Sequence, residues 1–355
     1  VKSNQHEFSI AVRSPGRQQE EKWETIEPRE IAFWKAAKQK LGTRIYRHNG
    51  CTAEVHLDWS PLTRRMIRDY DLNLPLRTGK TPHVDWYAKM TRPLRLKAKC
   101  VITGSNDLSS YPWYPEFFID YFLYEVFMIA NLALPGSGEF LNFELQSRYG
   151  SQRERLGLSA FYFSEWIIRS IEGKSPGAKA LDLDQTIDWF EQVNPHVTQK
   201  AENSTQKALY ATYQLCRSNG QIDFVLWLFN ALEALLSTKV GENLSGIIRR
   251  TNALLDLNEK QRSHLQKTLR KLYDLRSSFV HGGYEAPHPL HREPIDRRLD
   301  DNYMKMLTLS MEGFAILGSL FQALIEKKIP IVAFEERVVA ACSNPSYMDS
   351  PKNQD

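Results

Sequence analysis

The sequence predicts an α+β N-terminal domain followed by an all-α helical bundle. Three observations carry this. Leu94–Gly104 alternates apolar and polar residues as Leu94, Leu96, Ala98, Cys100 and Ile102, the period of a half-buried strand. Beyond residue 181 the apolar residues recur almost throughout at helical spacing. Between these regions Gly173–Lys179, GKSPGAK, shifts the composition and reads as a linker. The expected division is a mixed domain over 1–180, a bundle over 181–330 and a loose tail over 331–355.

In chain order, a strand is expected near Glu7–Arg13. A helix follows over Ile26–Leu41, with Ile31, Trp34 and Ala37 on one face. Thr43–Trp59 is rich in β-formers, and Leu94–Gly104 is the clearest strand. Glu116–Leu134 is an apolar helix closed by Pro135, Gly136 and Gly138. Its most apolar part, Phe117–Leu134, carries Asp120 and Glu125, which argues for a buried helix rather than a membrane span. Phe140–Leu145 and Leu156–Phe163 read as strands, and Ile167–Ile171 fits strand or helix. Six tryptophans precede residue 170, so this half has the bulk for a core of its own.

The expected helices of the second half are Leu181–Val193, Val197–Arg217, Gln221–Thr238, Glu242–Leu255, Glu259–Val280 and Asp300–Lys328. Ser218-Asn219-Gly220, Gly282-Gly283 and Pro330 punctuate them, and Tyr284–Arg298 is a polar loop. Helices joined by short turns bury their apolar faces against one another as a bundle.

The chain has 355 residues, 42% hydrophobic and 25% charged, which excludes wholesale disorder. Its 46 basic and 42 acidic residues leave a net charge of +4, too small to argue for nucleic acid without local clustering. The four cysteines, Cys51, Cys100, Cys216 and Cys342, form no CxxC pair. They read as reduced thiols of a cytoplasmic protein, and VKSNQHEFSIAVRS has no apolar run of signal-peptide length. His288 and His291 have no third ligand nearby, so no metal site is expected. Arg77–Thr81, RTGKT, lacks the earlier glycine of a phosphate loop, since position 74 is Leu74.

Chemistry concentrates in Lys271–Gly283, KLYDLRSSFVHGG, with its Arg276, Ser277 and His281 at the end of a helix. This stretch resembles the RX4-6H motif of the HEPN superfamily, and its Apea-like branch in particular. Asp223–Ser237, DFVLWLFNALEALLS, is similar to that branch's second core helix, with Glu233 at the characteristic acidic place. Glu242–Leu255 resembles the next helix, where Arg250 and Leu254-Leu255 fit an Arg-x-x-x-Leu-Leu pattern. The resemblance covers about residues 196–328 and fades outside them.

The resemblance implies a HEPN-like bundle, a homodimer and a metal-independent endoribonuclease without cofactor. It assigns Arg276 as phosphate clamp, His281 as general acid or base, Ser277 as a positioning hydroxyl and Glu233 as the group orienting Arg276 or His281. The residue types suit that chemistry. Cleavage without metal uses the RNA 2′-hydroxyl as nucleophile, whose proton must move. Histidine titrates near neutrality, and a guanidinium holds two phosphate oxygens while staying charged. Five residues along a helix turn about 500°, so Arg276 and His281 point roughly 140° apart. They converge only if the helix end frays or a second protomer completes the site.

Lys267, Arg270 and Lys271 precede the motif, Arg249 and Arg250 lie on the previous helix, and His291, Arg292, Arg297 and Arg298 follow in the loop. A groove lined by these would track an RNA backbone. The family points to bacterial anti-phage defence or a toxin-like role, with residues 1–180 sensing a trigger or restraining the nuclease, on analogy alone. The alternative is a non-catalytic HEPN-type module for RNA binding or dimerisation.

Overall fold

The computed structural model describes residues 3–12, 23–77, 94–138, 144–146, 154–218, 222–238, 244–285, 288, 290 and 297–335. The turn expected at Asn219-Gly220, the basic His291 and Arg292, and residues 140–143 and 336–355 of the expected strand and tail lie outside these.

Among the described residues the N-terminal half is built on a six-stranded antiparallel sheet of order β2-β3-β4-β1-β5-β6. The strands are β1 Ser3–Val12, β2 Thr43–His48, β3 Cys51–Leu57, β4 Leu94–Thr103, β5 Glu144–Gln146 and β6 Glu154–Arg155. Alternation fixes the register. Val55 lies opposite Cys100, Ala53 opposite Ile102 and Phe8 opposite Ala98, and all six are buried on one face. A one-residue slip of β4 would expose that whole row. The β2–β3 turn uses Asn49 and Gly50, both at positive φ (47° and 78°), as a tight two-residue hairpin requires.

Helix α1 (Trp23–Lys40) packs against α2 (Ser60–Arg77). Trp34 and Trp59 meet between them at 5.0 Å, and each buried indole N–H finds a carbonyl, of Ser137 and Leu41 respectively. The sequence reading did not foresee α2, although Ser60-Pro61 is a helix-start signal and Leu62 and Met66 follow four residues apart. The Asp58 carboxylate caps its start by accepting the Ser60 N–H at 2.9 Å, and hydrogen bonding from the Ser60 side chain, then from this N–H, holds its pKa below the usual carboxylate value.

Helix α3 (Trp113–Ala133) lies between the sheet and the helical half, and its length is largely buried. Helix α4 (Phe161–Ile171) corrects the strand expected over Leu156–Phe163. Three consecutive aromatics, Phe161, Tyr162 and Phe163, look β-forming by composition. Ser159 starts the helix instead, its Oγ accepting the Phe161 N–H at 3.2 Å.

The remaining helices are α5 (Leu183–Val193), α6 (Ser204–Arg217), α7 (Asp223–Leu235), α8 (Leu244–Leu254), α9 (Glu259–Val280) and α10 (Arg297–Glu326). Helix α10 begins at Arg297, so Arg297 and Arg298 open a helix rather than close a loop. By length and composition α10 could cross a membrane, but 78% of its most apolar stretch is buried in the fold. It carries two glycines at close approaches. A Cβ at Gly313 would collide with Leu228 of α7 and Leu272 of α9, and one at Gly318 would sit 2.5 Å from Trp166 of α4. One continuous apolar core joins Val55 of the sheet to Leu269 and Leu320 of the bundle. It therefore runs across the linker expected at Gly173–Lys179, and α4, which precedes that linker, packs on α10 through Phe163 and Phe314 at 4.8 Å.

Candidate functional site

The motif helix α9 is held at both ends. At its start Asn258 and Gln261 form a capping box, each side chain taking the other's backbone N–H at 3.0 and 2.9 Å. Leu265, Leu269 and Leu272 anchor its inner face. At its end Gly282 takes φ +76°, a conformation that favours glycine. Gly283 and Tyr284 then return their N–H groups to the Ser278 carbonyl at 2.7 and 3.1 Å. These hydrogen bonds close the helix end.

The order of α9 decides where the motif residues go. Arg276 faces α7, where its Nη1 donates to Glu233 Oε1 at 2.9 Å. Its guanidinium carbon sits 5.2 Å from the centre of the Phe229 ring, four residues before Glu233 on the same face of α7. Both members of the pair stay accessible, with side chains 31% and 36% exposed. A guanidinium gripped on one edge and seated on a ring keeps N–H groups for a phosphate. Sequence reasoning missed Phe229, although its spacing from Glu233 places both on one helical face.

His281 caps the C-terminus of α9, its N–H donating to the Ser277 carbonyl at 3.0 Å, and it is exposed. Ser277 is half-buried. Within one chain, Glu233 meets Arg276, and His281 stands apart from them at the helix end.

The basic residues do not form one strip. Arg250 is 5% exposed, and its Nη1 donates to the carbonyls of Leu236 and Ser237 at 3.1 and 2.9 Å while the guanidinium sits 5.3 Å from the Phe334 ring. It caps the end of α7, whose last carbonyls lack helical partners, so it is not available to a phosphate. Its phase carried that signal, because Ile247 and Thr251 of the same helical face are also buried. Arg249 and Arg270 line one groove of about 530 Å³ between α8 and α9, together with Ser245, Asn252 and Gln266. Among the described residues no carboxylate lines this groove. Lys267 is exposed on α9, and Lys271 lines a second groove on the α10 side. Arg297 is exposed, and Arg298 lies 3.4 Å from Glu285.

A different carboxylate ties the helices together. Glu312 of α10 accepts from Arg169 of α4 at 3.0 Å and from Thr268 of α9 at 2.9 Å, with His264 at 3.8 Å. Among the described residues, no group of three or more His, Cys, Asp or Glu is placed to hold a metal ion. Compared with family models, with curated proteins and with solved structures, the chain matches none.

Proposed function

We propose that the helical half is a metal-independent endoribonuclease of the HEPN type that works as a homodimer. The observation that carries the reading is the Arg276–Glu233 pair. It joins the motif arginine to the acid of the resembling helix, and it leaves the guanidinium a third exposed. Arg276 stabilises charge on the phosphate oxygens, and Glu233 and Phe229 keep the guanidinium in place. His281 moves the proton of the 2′-hydroxyl or gives one to the leaving 5′-oxygen. The products carry a 2′,3′-cyclic phosphate and a 5′-hydroxyl. Five residues along a helix set Arg276 and His281 roughly 140° apart, so the active cleft is composite in this reading, with the motif helices of two protomers meeting. Residues 1–180 sense a trigger or restrain the nuclease, on family analogy, in a cytoplasmic defence or toxin-like role.

The second reading is a non-catalytic RNA-binding or dimerisation module. The same pair favours it, since an arginine bonded to an acid and packed on a ring also serves as a plain structural link between α7 and α9.

Incubation with a mixed RNA pool in EDTA separates the two. Wild-type protein cuts and leaves cyclic phosphate ends. His281→Ala lowers the rate roughly 10²- to 10⁴-fold, the usual loss of a general acid–base group, with unchanged melting temperature and sedimentation. No cutting by a folded dimer favours the second reading, and equal cutting by both proteins takes His281 out of the site.

A further inference from the structure

Two grooves flank α9, and their linings differ in charge. The one toward α8 is lined by Arg249 and Arg270 and, among the described residues, by no carboxylate. The one toward α10 has about 550 Å³, inside the roughly 300–1,000 Å³ typical of ligand pockets. Among the described residues its two lysines, Lys271 and Lys305, are matched by Asp274 and Glu285, so these leave no net charge with which to attract a phosphate. Its floor is apolar, with Leu275, Met306 and Leu309. Its walls include Tyr284 and Tyr303, the latter 41% exposed. Asn302 and Ser278 supply an amide and a hydroxyl.

We propose that this second groove takes one unpaired nucleobase of the RNA, with Tyr303 as the stacking surface and Asn302 as the reader of the base edge. The inference rests on the ribonuclease reading and gives it a substrate class, single-stranded RNA. Stacking needs a flat π face and no charge, which fits a neutral groove with exposed tyrosine. An amide offers donor and acceptor together, the complement of a base edge. The groove also begins where the motif ends, since Ser278 and Gly283 line it and bracket His281 in the chain. A base seated there puts its own phosphate beside the motif. Paired bases are stacked within a duplex and cannot enter.

The test uses the full chain carrying His281→Ala, so that RNA is bound and not consumed. Fluorescence anisotropy follows a labelled oligoribonucleotide of mixed sequence, single-stranded or in a duplex. Adding Tyr303→Ala is expected to weaken single-strand binding roughly 5- to 100-fold, the range for losing one stacked base, and to leave duplex binding unchanged. Tyr303→Phe keeps the ring and restores the affinity, and Asn302→Ala alters which base is preferred in a set of homopolymers. If Tyr303→Ala matches its parent while Arg249→Ala with Arg270→Ala weakens the single strand, the base pocket is wrong and the RNA reading stands. If the parent binds no single strand at all, both are overturned.

Discussion

Two carboxylates, Glu125 and Glu233, sit opposite arginines in this molecule, and their surroundings could hardly differ more. Glu125 of α3 is 4% exposed and accepts from Tyr46 at 2.7 Å, from Asn194 at 2.8 Å and from Arg44 at 3.4 Å. Arg44 is engaged again by Glu191, and Asn194 passes the network on to Tyr121 and Gln206. Glu233 has its bond to Arg276, and both side chains are about a third exposed. The first carboxylate is enclosed and satisfied, which is how a buried acid must be treated if the fold is to tolerate it. The second keeps accessible oxygen and nitrogen atoms. The contrast separates an acid that builds the scaffold, where sheet, α3 and α5 meet, from one placed where a substrate can reach it.

The largest effect that sharpens this contrast comes from Glu125→Ala. It strands Tyr46, Asn194 and Arg44 in the interior and costs roughly 3 kcal/mol, the lower end for a broken buried pair because Arg44 keeps Glu191. Chemical denaturation measures it, and a loss below roughly 1 kcal/mol, an ordinary point-mutation effect, would place Glu125 with the surface acids.

Glu125→Gln has a subtler signature in pH. Burial raises the Glu125 carboxyl above its ordinary value of 4.5, while Arg44 and the hydrogen bonds from Tyr46 and Asn194 pull it down. A raised folded value means that the fold favours the protonated form. That stabilisation is complete below pH 4.5 and is lost as pH rises through the raised value. The amide mimics the protonated carboxyl, so the Gln variant gains on wild type as the pH climbs above 4.5. Melting curves across that range read the difference, and parallel profiles would refute the assignment.

Smallest is the coupling between Arg276 and Glu233 in stability. A double-mutant cycle with Arg276→Ala and Glu233→Gln is expected to give about 0.2–1 kcal/mol, as for exposed pairs. The same cycle in RNA cleavage is expected to be strongly non-additive, since Glu233 acts through Arg276. A coupling as large as a buried pair's, with no effect on cleavage, would make this a structural bridge.

Much of this was legible because the residues obey one period at a time. Leu94–Ile102 alternates and is β4, and the helix expected over Glu259–Val280, stopped by Gly282-Gly283, has the bounds of α9. The resemblance implied that Glu233 orients Arg276 or His281, and the contact found is with Arg276. The burial of Arg250 was not, because Arg249 beside it is the same residue type and only helical phase tells them apart. α2 escaped notice because Pro75 and Asn73 blur its second half. The grooves on either side of α9 are properties of three helices at once, α8, α9 and α10, and no local pattern announces them.

The close fit of Gly318 against Trp166 has a consequence for how the chain can be divided. Trp166 precedes Gly173–Lys179 and Gly318 follows it, so the segment is a seam in the covalent chain but not in the particle. Gln322 stitches across the same seam, donating to Leu132 and Lys179 at 3.0 and 2.8 Å. A polypeptide nicked there keeps its two fragments clasped as one body. Neither fragment alone retains the partner that covers its apolar face, so any gene-level split of the two halves must leave α10 with the α4 helix it packs on.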